Sequence, residues 1–457
     1  MVRLLVISGL AMVAALAQID TAEAQSNSPP FPRLGAYLIG GPLDPGTVAH
    51  IGAMQAIIIT GYEGFPGLQA HVANAKAANP NMKVTAYVKI NSQVPTNNPG
   101  YQGELNQMAA ANWWVRAGYP SGGIATEFGG GENAVNIVQS HTSTNAPYPG
   151  GPTSPMTVRQ WMAQYANHYF GPGIASNLDG VFTDNFYFQP RAVSGGLNQA
   201  DWLDNGTEQP DSNATTQQNW RDAYVDWDTQ MRAAMGSQYM HWGNVADWNP
   251  GNDITGYKGL LNGGVMEHTL PAYESGQGWT GMMNFYKVVM TNLAPFNGEG
   301  PYAIFQNDGS PTDYQGMRYG LGSCLLDNGY YYAAPNGQYN AIAWFDEFSQ
   351  NLGQPIAGPN NPTNGTYSNG GLTVWKQGVW RRDFQNGIAL VNPKGNGVQT
   401  VTLETTYQHF SGTQDPSVNN GQSVTSVTLN DRDGVILLRT TPVAQQAVPD
   451  APTLSVQ

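Results

Sequence analysis

The chain has 457 residues, a formal net charge of −13 and a single cysteine, Cys324. The negative charge argues against nucleic acid or an anionic membrane surface as a partner, and one cysteine excludes an internal disulfide, so the fold depends on its hydrophobic core. Only 11% of the residues are charged, whereas 23 are Tyr and 12 are Trp. This composition suits contact with neutral sugars, because aromatic rings cover their C–H faces.

The first 24 residues have the pattern of an export signal. Arg3 precedes an apolar run, and the small residues Ala22 and Ala24 fit a cleavage site. The run is too short to span a bilayer comfortably, and no later segment is apolar for long enough. We therefore expect cleavage of residues 1–24, no membrane insertion of the mature chain, and a secreted or periplasmic location. Residues 25–32 are predicted to form a linker.

Eight apolar runs, rich in β-branched and aromatic residues, predict eight strands. Helical patterns such as TVRQWMAQYANHYFG and NWRDAYVDWDTQMRAAMG separate successive runs. Near-continuous apolar strands alternating with helices predict a parallel sheet that is covered on both faces, and eight such units fit an α/β fold, a (β/α)8 TIM barrel, over residues 33–355. The predicted strands are residues 33–41, 55–61, 83–90, 178–188, 238–244, 263–270, 302–308 and 329–335.

Three further segments complete the predicted organisation. A long insert at about 91–155 separates strands three and four, and part of it should lie on the face to which the C-terminal strand ends point. Beyond a turn-rich linker at 356–369, short alternating runs bounded by Gly and Asn predict a small antiparallel β-sandwich domain at 370–440. Residues 441–457 are predicted to be a disordered tail.

Polar residues end several of the predicted strands. In a barrel the C-terminal strand ends converge on one rim, where catalysis takes place. Asp184 and Glu267 stand out, because each follows apolar residues and a carboxylate in such surroundings is costly unless it is paired or functional. The other candidates for contact with a substrate are Tyr37, Lys89, Asn185, Asn244, His268, Gln306 and Asp308, together with Trp113 and Trp114 of the insert.

Two carboxyl groups that face each other across a cleft can hydrolyse a glycosidic bond. We assign Asp184 as the nucleophile or base. Glu267 is then the general acid, with its pKa raised by Met266 and nearby aromatic rings. Asp308 could take either role or bind a sugar hydroxyl. The sequence does not give the carboxylate separation, of which about 5 Å predicts retention and about 6.5–9.5 Å predicts inversion.

The two catalytic assignments have structural alternatives. Asp184 could cap the helix that follows strand four, since Asp is a favoured N-cap residue. Glu267 could form a structural ion pair with Lys89 or Arg191. In either case the carboxylate would serve the fold rather than a substrate.

The other candidates also have structural alternatives. Asp308 and the glycine after it could form a turn. Trp113 and Trp114 could pack in the core as readily as they could stack on a sugar. His268 is more often an orienting or core histidine than a catalyst.

Other chemistries have little support in the sequence. The seven histidines are scattered, and neither an H-E-x-x-H zinc motif nor a Cys/His cluster occurs. The nucleophile elbow, the P-loop and the dinucleotide-binding motif are also missing. We therefore expect no metal and no organic cofactor, and we interpret Cys324 as a buried, inert thiol.

An ordered series of motifs resembles a known family. The series RYGLGSCLLDNGYYYAAPNG, WFDEF, GVWRRDFQNGIALVNP and DRDGVILLR is similar to secreted glycoside hydrolases of glycosyl hydrolase-like family 15, and the resemblance covers about residues 33–440. It implies a TIM barrel followed by a β-sandwich, a carbohydrate substrate and hydrolysis of an O-glycosidic bond. The resemblance also supports carboxylates at the ends of strands four and six, which are Asp184 and Glu267 here.

The sequence thus predicts an exported glycoside hydrolase that cleaves a poly- or oligosaccharide. The first alternative is a non-catalytic carbohydrate-binding barrel, in which Asp184 and Glu267 would not face one cleft. The second is a structural envelope protein, with a large exposed apolar patch on the C-terminal domain and no deep pocket at the rim. The sugar, its anomer, endo or exo cleavage and the oligomeric state stay open.

Overall fold

A computed structural model describes nine parts of the chain, residues 29–40, 43–59, 65–93, 106–117, 123–127, 131–171, 177–191, 199–356 and 374–442. The predicted export signal lies outside these ranges, as do residues 25–28 and 357–369 of the two predicted linkers and the tail beyond residue 442, so these assignments stay predictions. The first linker is shorter than predicted, because Phe31 is buried in the main core and pairs with Gly353.

The predicted barrel is confirmed. Its strands pair in parallel in the order of the chain, and the last closes onto the first through a parallel bridge between Leu34 and Tyr331. The strands are β1 Gly35–Leu38, β2 Ala56–Ile59, β3 Lys83–Val88, β4 Gly180–Thr183, β5 Met240–Asn244, β6 Gly263–Leu270, β7 Tyr302–Gly309 and β8 Tyr330–Pro335. All but one of the eight strands lie within their predicted runs. The exception is β7, which extends one residue beyond its predicted end.

Helices cover the outside of the barrel. They are α1 Pro45–His50, α2 Phe65–Ala78, α3 Val158–Phe170, α4 Ala214–Met235, α5 Ala272–Asn292 and α6 Tyr314–Leu325. Four of those described, α1, α3, α4 and α6, begin at a side chain that accepts from a free backbone N–H group. Thr157 forms a capping box with Gln160 at α3, and Asn213 caps α4. In the described part of the chain, none of the helices combines the length and hydropathy that a membrane span requires.

The insert between β3 and β4 carries short antiparallel strands. Ser92–Gln93, Glu132–Ala134 and Thr126–Glu127 form one three-stranded sheet, and Arg116–Ala117 pairs with Gly123–Ile124. The first of these strands begins four residues after β3 ends, so the insert starts at the rim formed by the C-terminal strand ends.

The predicted antiparallel C-terminal domain is confirmed as a five-stranded sheet that packs on α6 of the barrel. Residues from four of its five strands, including Leu390, Val401 and Leu437, form a hydrophobic cluster separate from the barrel core. Trp380 and Ile436 instead join the barrel core. The strands are β9 Trp380–Asp383, β10 Gly387–Asn392, β11 Gln399–His409, β12 Ser423–Leu429 and β13 Asp433–Arg439.

A buried ion pair joins this domain to the barrel. Arg318 of α6 reaches Asp433 of β13 at 3.3 Å, and both side chains are nearly inaccessible to solvent.

Among the described residues, the large hydrophobic side chains that are exposed are Val48, Val374 and Val398. The described surface therefore lacks the large apolar patch that the envelope-protein hypothesis requires.

Candidate active site

Asp184 lies directly after β4, at the C-terminal rim of the barrel. Its backbone N–H donates to the carbonyl of Val88 at 2.9 Å, which ties it to the end of β3. Its carboxylate accepts hydrogen bonds from the Tyr87 hydroxyl at 2.6 Å and from the N–H of Asn185 at 2.9 Å, and the ammonium of Lys89 is 3.7 Å away. These donors and the nearby ammonium hold the carboxylate of Asp184 in one orientation at the rim.

The helix-cap alternative for Asp184 is wrong. Residues 185–191, which follow Asp184 directly, are not helical. The next helix in the described part of the chain, α4, begins 30 residues later and is capped by Asn213. Asp184 instead follows a strand whose residues Val181 and Phe182 are fully buried, so the backbone delivers the carboxylate to the rim.

A buried hydrogen-bond network fixes the strand end beneath Asp184. The Thr183 hydroxyl lies 2.7 Å from Nε2 of His241 and accepts from the indole N–H of Trp227 at 2.9 Å. The other ring nitrogen of His241 contacts Asp228 at 2.7 Å. Because His241 is completely inaccessible, these groups hold the floor of the site and do not meet a substrate.

Glu267 projects from β6 on the same rim. Its Oε1 accepts from the hydroxyl of Tyr339, and its Oε2 accepts from Nδ2 of Asn244 at 2.8 Å. Burial raises the pKa of Glu267, the charge of Asp184 raises it further, and the hydrogen bonds from Tyr339 and Asn244 partly offset both effects. The direction is the one that a general acid needs.

The two cations proposed as structural partners of Glu267 contact other carboxylates. Lys89 pairs with Glu132 at 2.5 Å and approaches Asp184, while Arg191 reaches Asp247 at 3.5 Å. The basic side chain next to Glu267 is His268, whose Nε2 is 3.7 Å from Oε1.

Asn244, at the end of β5, links the two candidate carboxyl groups. Its Nδ2 donates to Oδ1 of Asp184 at 3.0 Å and to Oε2 of Glu267 at 2.8 Å. Its own Oδ1 accepts from the N–H of Ala246 at 3.1 Å, which fixes the orientation of the amide. The two carboxyl oxygens are therefore no further apart than the sum of 3.0 and 2.8 Å, about 5.8 Å.

A second group of side chains lies beside Glu267. The Nδ1 of His268 contacts Oδ2 of Asp308, and Oδ1 of Asp308 accepts from Nε2 of Gln306 at 2.7 Å. The hydrogen bond to Asp308 raises the pKa of His268. Asp308 lies inside β7, as the predicted strand has it, and the turn alternative is wrong, because parallel pairing with β8 continues through Asp308 to Gly309.

The insert reaches the candidate site, as predicted for at least part of it. Glu132, in the insert, accepts from Lys89 and from the Ser92 hydroxyl, each at 2.5 Å. Lys89 therefore lies between Glu132 and Asp184 and connects the insert to the rim.

The aromatic candidates separate into two groups. Tyr37 is buried, with its ring edge-on to Tyr339 at 5.6 Å, and burial together with the charge of Asp184 raises its pKa. Trp113 is completely inaccessible and donates to the carbonyl of His141, while Trp114 is only 6% exposed. Both tryptophans belong to the main hydrophobic core, so their burial supports the packing alternative and argues against sugar stacking.

Two buried amides at the rim have an atom without a partner. Nδ2 of Asn185 and Oε1 of Gln306 have no hydrogen-bond partner within the described residues. The carbonyl of Asn185 accepts from Tyr224 at 2.8 Å, and Asn185 has a positive φ of 55°, a conformation that Asn adopts more readily than most residues. Both side chains stay predictions as substrate ligands.

Sequence reasoning did not single out Tyr87, Glu132 or Tyr339. Tyr87 could have been found, because it is two residues before Lys89 and side chains alternate along a strand. Tyr339 lies beyond β8 in a turn-rich segment, and Glu132 lies in the insert, where no periodic pattern indicates direction. In the described ranges, no group of three or more His, Cys, Asp or Glu side chains is arranged to hold a metal ion.

Comparison with solved structures gives similarities of low identity. The glycoside hydrolase domain of PelA from Pseudomonas aeruginosa is 9% identical, with 68% of this chain and 98% of that chain covered and a TM-score of 0.39. An Anoxybacillus alpha-amylase is 12% identical, with 87% and 89% covered and a TM-score of 0.43. An alpha-amylase from Geobacillus thermoleovorans, complexed with acarbose, is 11% identical, with 86% and 91% covered and a TM-score of 0.42.

Comparison with family models gives a direct assignment. No curated protein matches this chain. The model of the family described as hypothetical glycosyl hydrolase family 15 matches residues 76–388, which run from α2 through all later barrel strands into β10. The match covers more than half of the chain and confirms the resemblance seen in the sequence. This protein belongs to hypothetical glycosyl hydrolase family 15.

Proposed function

We propose that this protein is a retaining glycoside hydrolase in which Asp184 is the nucleophile and Glu267 is the general acid and base. The observation that carries the proposal is the single Asn244 amide that donates to both carboxyl groups and limits the separation of the accepting oxygens to about 5.8 Å. Retaining enzymes hold their carboxyl groups about 5–5.5 Å apart, whereas inverting enzymes need about 6.5–9.5 Å to admit a water molecule between them.

Asp184 and Glu267 have separate roles in the two steps of the proposed hydrolysis. In the first step Asp184 attacks the anomeric carbon while Glu267 gives its proton to the glycosidic oxygen, so the C–O bond to the leaving sugar breaks and an ester to Asp184 forms. In the second step Glu267 takes a proton from water, the water oxygen attacks the anomeric carbon, and Asp184 leaves as a carboxylate. Two inversions at one carbon give net retention.

The charge of the rim favours a neutral poly- or oligosaccharide as the substrate. Four carboxyl groups lie in this region, those of Glu132, Asp184, Glu267 and Asp308, against the ammonium of Lys89 and the imidazole of His268. The whole chain is also acidic, with a formal net charge of −13. Repulsion at such a rim disfavours a polyanionic glycan.

The stereochemistry of the first product tests the proposal. The purified protein is incubated with a panel of neutral glycans, and new reducing ends identify a cleaved substrate. Proton NMR spectra recorded from the first minutes of that reaction should show a product with the anomeric configuration of the substrate, and the other anomer should appear only later by mutarotation. A first product of opposite configuration would contradict retention, and a panel that is bound without cleavage would favour the carbohydrate-binding alternative.

We further propose that the protein is exported to the periplasm or the medium. The support is the sequence pattern of residues 1–24, with small residues at Ala22 and Ala24. When the full-length chain is expressed in a bacterial host and the cells are fractionated, N-terminal mass spectrometry should find a mature protein that begins at Gln25 outside the cytoplasm. Recovery of only the uncleaved chain, inside the cytoplasm, would contradict export.

A further inference from the structure

A continuous chain of hydrogen bonds runs from Asp308 to Glu267. Asp308 contacts Nδ1 of His268, and Nε2 of His268 lies 3.1 Å from the hydroxyl of Tyr339, which also contacts Oε1 of Glu267. About half of the His268 side chain is exposed, whereas only 17% of Glu267 is exposed. The chain therefore connects a mostly buried carboxyl group to an imidazole that solvent can reach.

Asp308 determines which nitrogen of His268 carries a hydrogen in the neutral ring. One carboxylate oxygen accepts from Gln306 and the other faces Nδ1 of His268. Because a carboxylate can only accept, Nδ1 must donate to it, and Nε2 is the nitrogen that gains or loses a proton. His268 lies where the pairing register of β6 and β7 shifts, and its φ is 54°.

Tyr339 has a single hydroxyl hydrogen and two neighbours that compete for it. When Glu267 is ionised, Tyr339 donates to it, and the phenol oxygen can accept from Nε2–H of a charged His268. When Glu267 is protonated, it donates to Tyr339, which then donates to the bare Nε2 of a neutral His268. If neither Glu267 nor Nε2 of His268 carries a proton, Tyr339 can donate to only one of them and the other has no donor. If both carry a proton, both donate to the Tyr339 oxygen and the Tyr339 hydrogen has no acceptor.

We propose that Tyr339, His268 and Asp308 are positioning residues that share one proton with Glu267 and so keep it available as a general acid. In the exchange, the Nε2–H bond of the imidazolium breaks and its proton joins the Tyr339 oxygen. The Tyr339 hydrogen passes at the same time to Oε1 of Glu267, so the imidazolium and the carboxylate both become neutral. The meaning of the exchange for catalysis rests on the proposed role of Glu267.

In the described part of the protein, other titratable groups also lie near this series of hydrogen bonds. His268 faces Glu267, Asp308 and Tyr339, and Glu267 additionally faces Asp184. The other titratable neighbours are tyrosines, namely Tyr37, Tyr87 and Tyr187 near Glu267 and Tyr332 near Asp308. The charge of Asp184 disfavours a negative charge on Glu267 and thus favours the arrangement in which the shared proton is on Glu267.

Nitrogen NMR of histidine-labelled protein tests the proposal without any substrate. The His268→Asn variant identifies the His268 signals among the seven histidines. In the wild-type protein the neutral ring of His268 should carry its hydrogen on Nδ1 and leave Nε2 bare. In the Asp308→Asn variant the hydrogen should move to Nε2 and leave Nδ1 bare. Gln306 donates to the carbonyl oxygen of the new amide, so the NH2 group of that amide faces Nδ1 and donates to it. A bare Nδ1 in the neutral wild-type ring would overturn the proposal.

The coupling to Glu267 needs a second measurement, a cycle of three variants. In the Glu267→Gln variant, Asn244 donates to the carbonyl oxygen of the new amide. The NH2 group of the new amide then faces Tyr339 and imitates the protonated acid. The pKa of His268 should then fall by about one unit or more, a tenfold effect, and the fall should be clearly smaller when Tyr339→Phe is already present. If the His268 pKa falls equally with and without Tyr339→Phe, the effect comes only from the lost charge of Glu267. That result would contradict proton sharing through Tyr339.

These tests separate the inference from the proposed function. The tautomer and the variant cycle are measured on the folded protein, with circular dichroism to show that each variant keeps its fold, so they hold whether or not a substrate is found. If a glycan is cleaved, Asp308→Asn should also narrow the pH range of activity while the product keeps its anomeric configuration. A changed configuration would instead count against the assignment of Asp184 and Glu267.

Discussion

Replacement of Asp184 by Asn should lower kcat/KM for a cleaved glycan by on the order of 10⁴-fold or more. An amide has the shape of the carboxylate but is a far poorer nucleophile, so the ester intermediate does not form. The amide oxygen can still accept from Asn244 and from the N–H of Asn185, so the rim should keep its geometry. Initial rates from reducing-end assays, corrected for the folded fraction, give the ratio.

Asp179→Asn is the matched control for this variant. Asp179 also accepts from a lysine, Lys76 at 2.6 Å, and from a backbone N–H, that of Val84 at 2.7 Å, but it precedes β4 and lies at the opposite end of the barrel. Its activity per folded molecule should stay within about twofold of the wild type, as expected for a site remote from the chemistry. If Asp184→Asn keeps a tenth or more of the wild-type rate, Asp184 is not the nucleophile.

Replacement of Glu267 by Gln should have an effect that depends on the leaving group. For a glycan, whose sugar alkoxide needs a proton to depart, the rate should fall by about 10²–10⁴-fold. For an aryl glycoside with an acidic phenol, which departs without assistance, formation of the ester should be much less affected. A Brønsted series of aryl glycosides, with pre-steady-state bursts to separate the two steps, measures this dependence.

The pH profile supplies a second signature of Glu267. Burial and the charge of Asp184 raise its pKa, and the general acid works only while protonated. The wild-type rate for glycans should therefore fall as the pH rises through this raised pKa, and the fall should be absent from the residual activity of Glu267→Gln.

Glu274→Gln is the matched control for Glu267→Gln. Glu274 is buried and accepts from a tyrosine hydroxyl, that of Tyr319, but its charged partner is Arg432 of the C-terminal domain. This variant should lose stability and keep its leaving-group dependence and pH profile. An equal loss of rate for all leaving groups in Glu267→Gln would contradict the assignment of Glu267 as the acid.

The barrel could be predicted because its strands are buried on both faces. Such strands form near-continuous apolar runs, and the run Gly263–Leu270 was predicted with the bounds that the structure has. The same property exposed Asp184 and Glu267 as candidates, since a carboxylate directly after buried residues has few structural explanations.

Contacts between remote segments could not be predicted in this way. The Asp-Gly pair at Asp308 has the composition of a turn, yet pairing with β8 extends the strand through it, because neighbouring strands override a local preference. Trp113 and Trp114 have the composition of a sugar platform, and only packing against residues such as Trp161 shows that they are core. Tyr339 reaches Glu267 across 72 residues of sequence.

The carboxylate separation also depends on the closed barrel. The three residues belong to neighbouring strands: Asp184 directly follows β4, Asn244 ends β5 and Glu267 lies in β6. Parallel pairing of these strands brings their rim residues together. The sequence left retention and inversion open, and the shared amide of Asn244 is the feature that favours retention.

The most direct test of the account is to find the residue that carries the sugar. Glu267→Gln is incubated with a panel of activated aryl glycosides, quenched in acid and analysed by intact-protein and peptide mass spectrometry. We expect one glycosyl group per molecule, attached to Asp184 and absent when Asp184→Asn is added. Attachment to another carboxylate such as Asp308, or release of phenol and free sugar with no labelled Asp184 peptide at any time, would contradict the central claim.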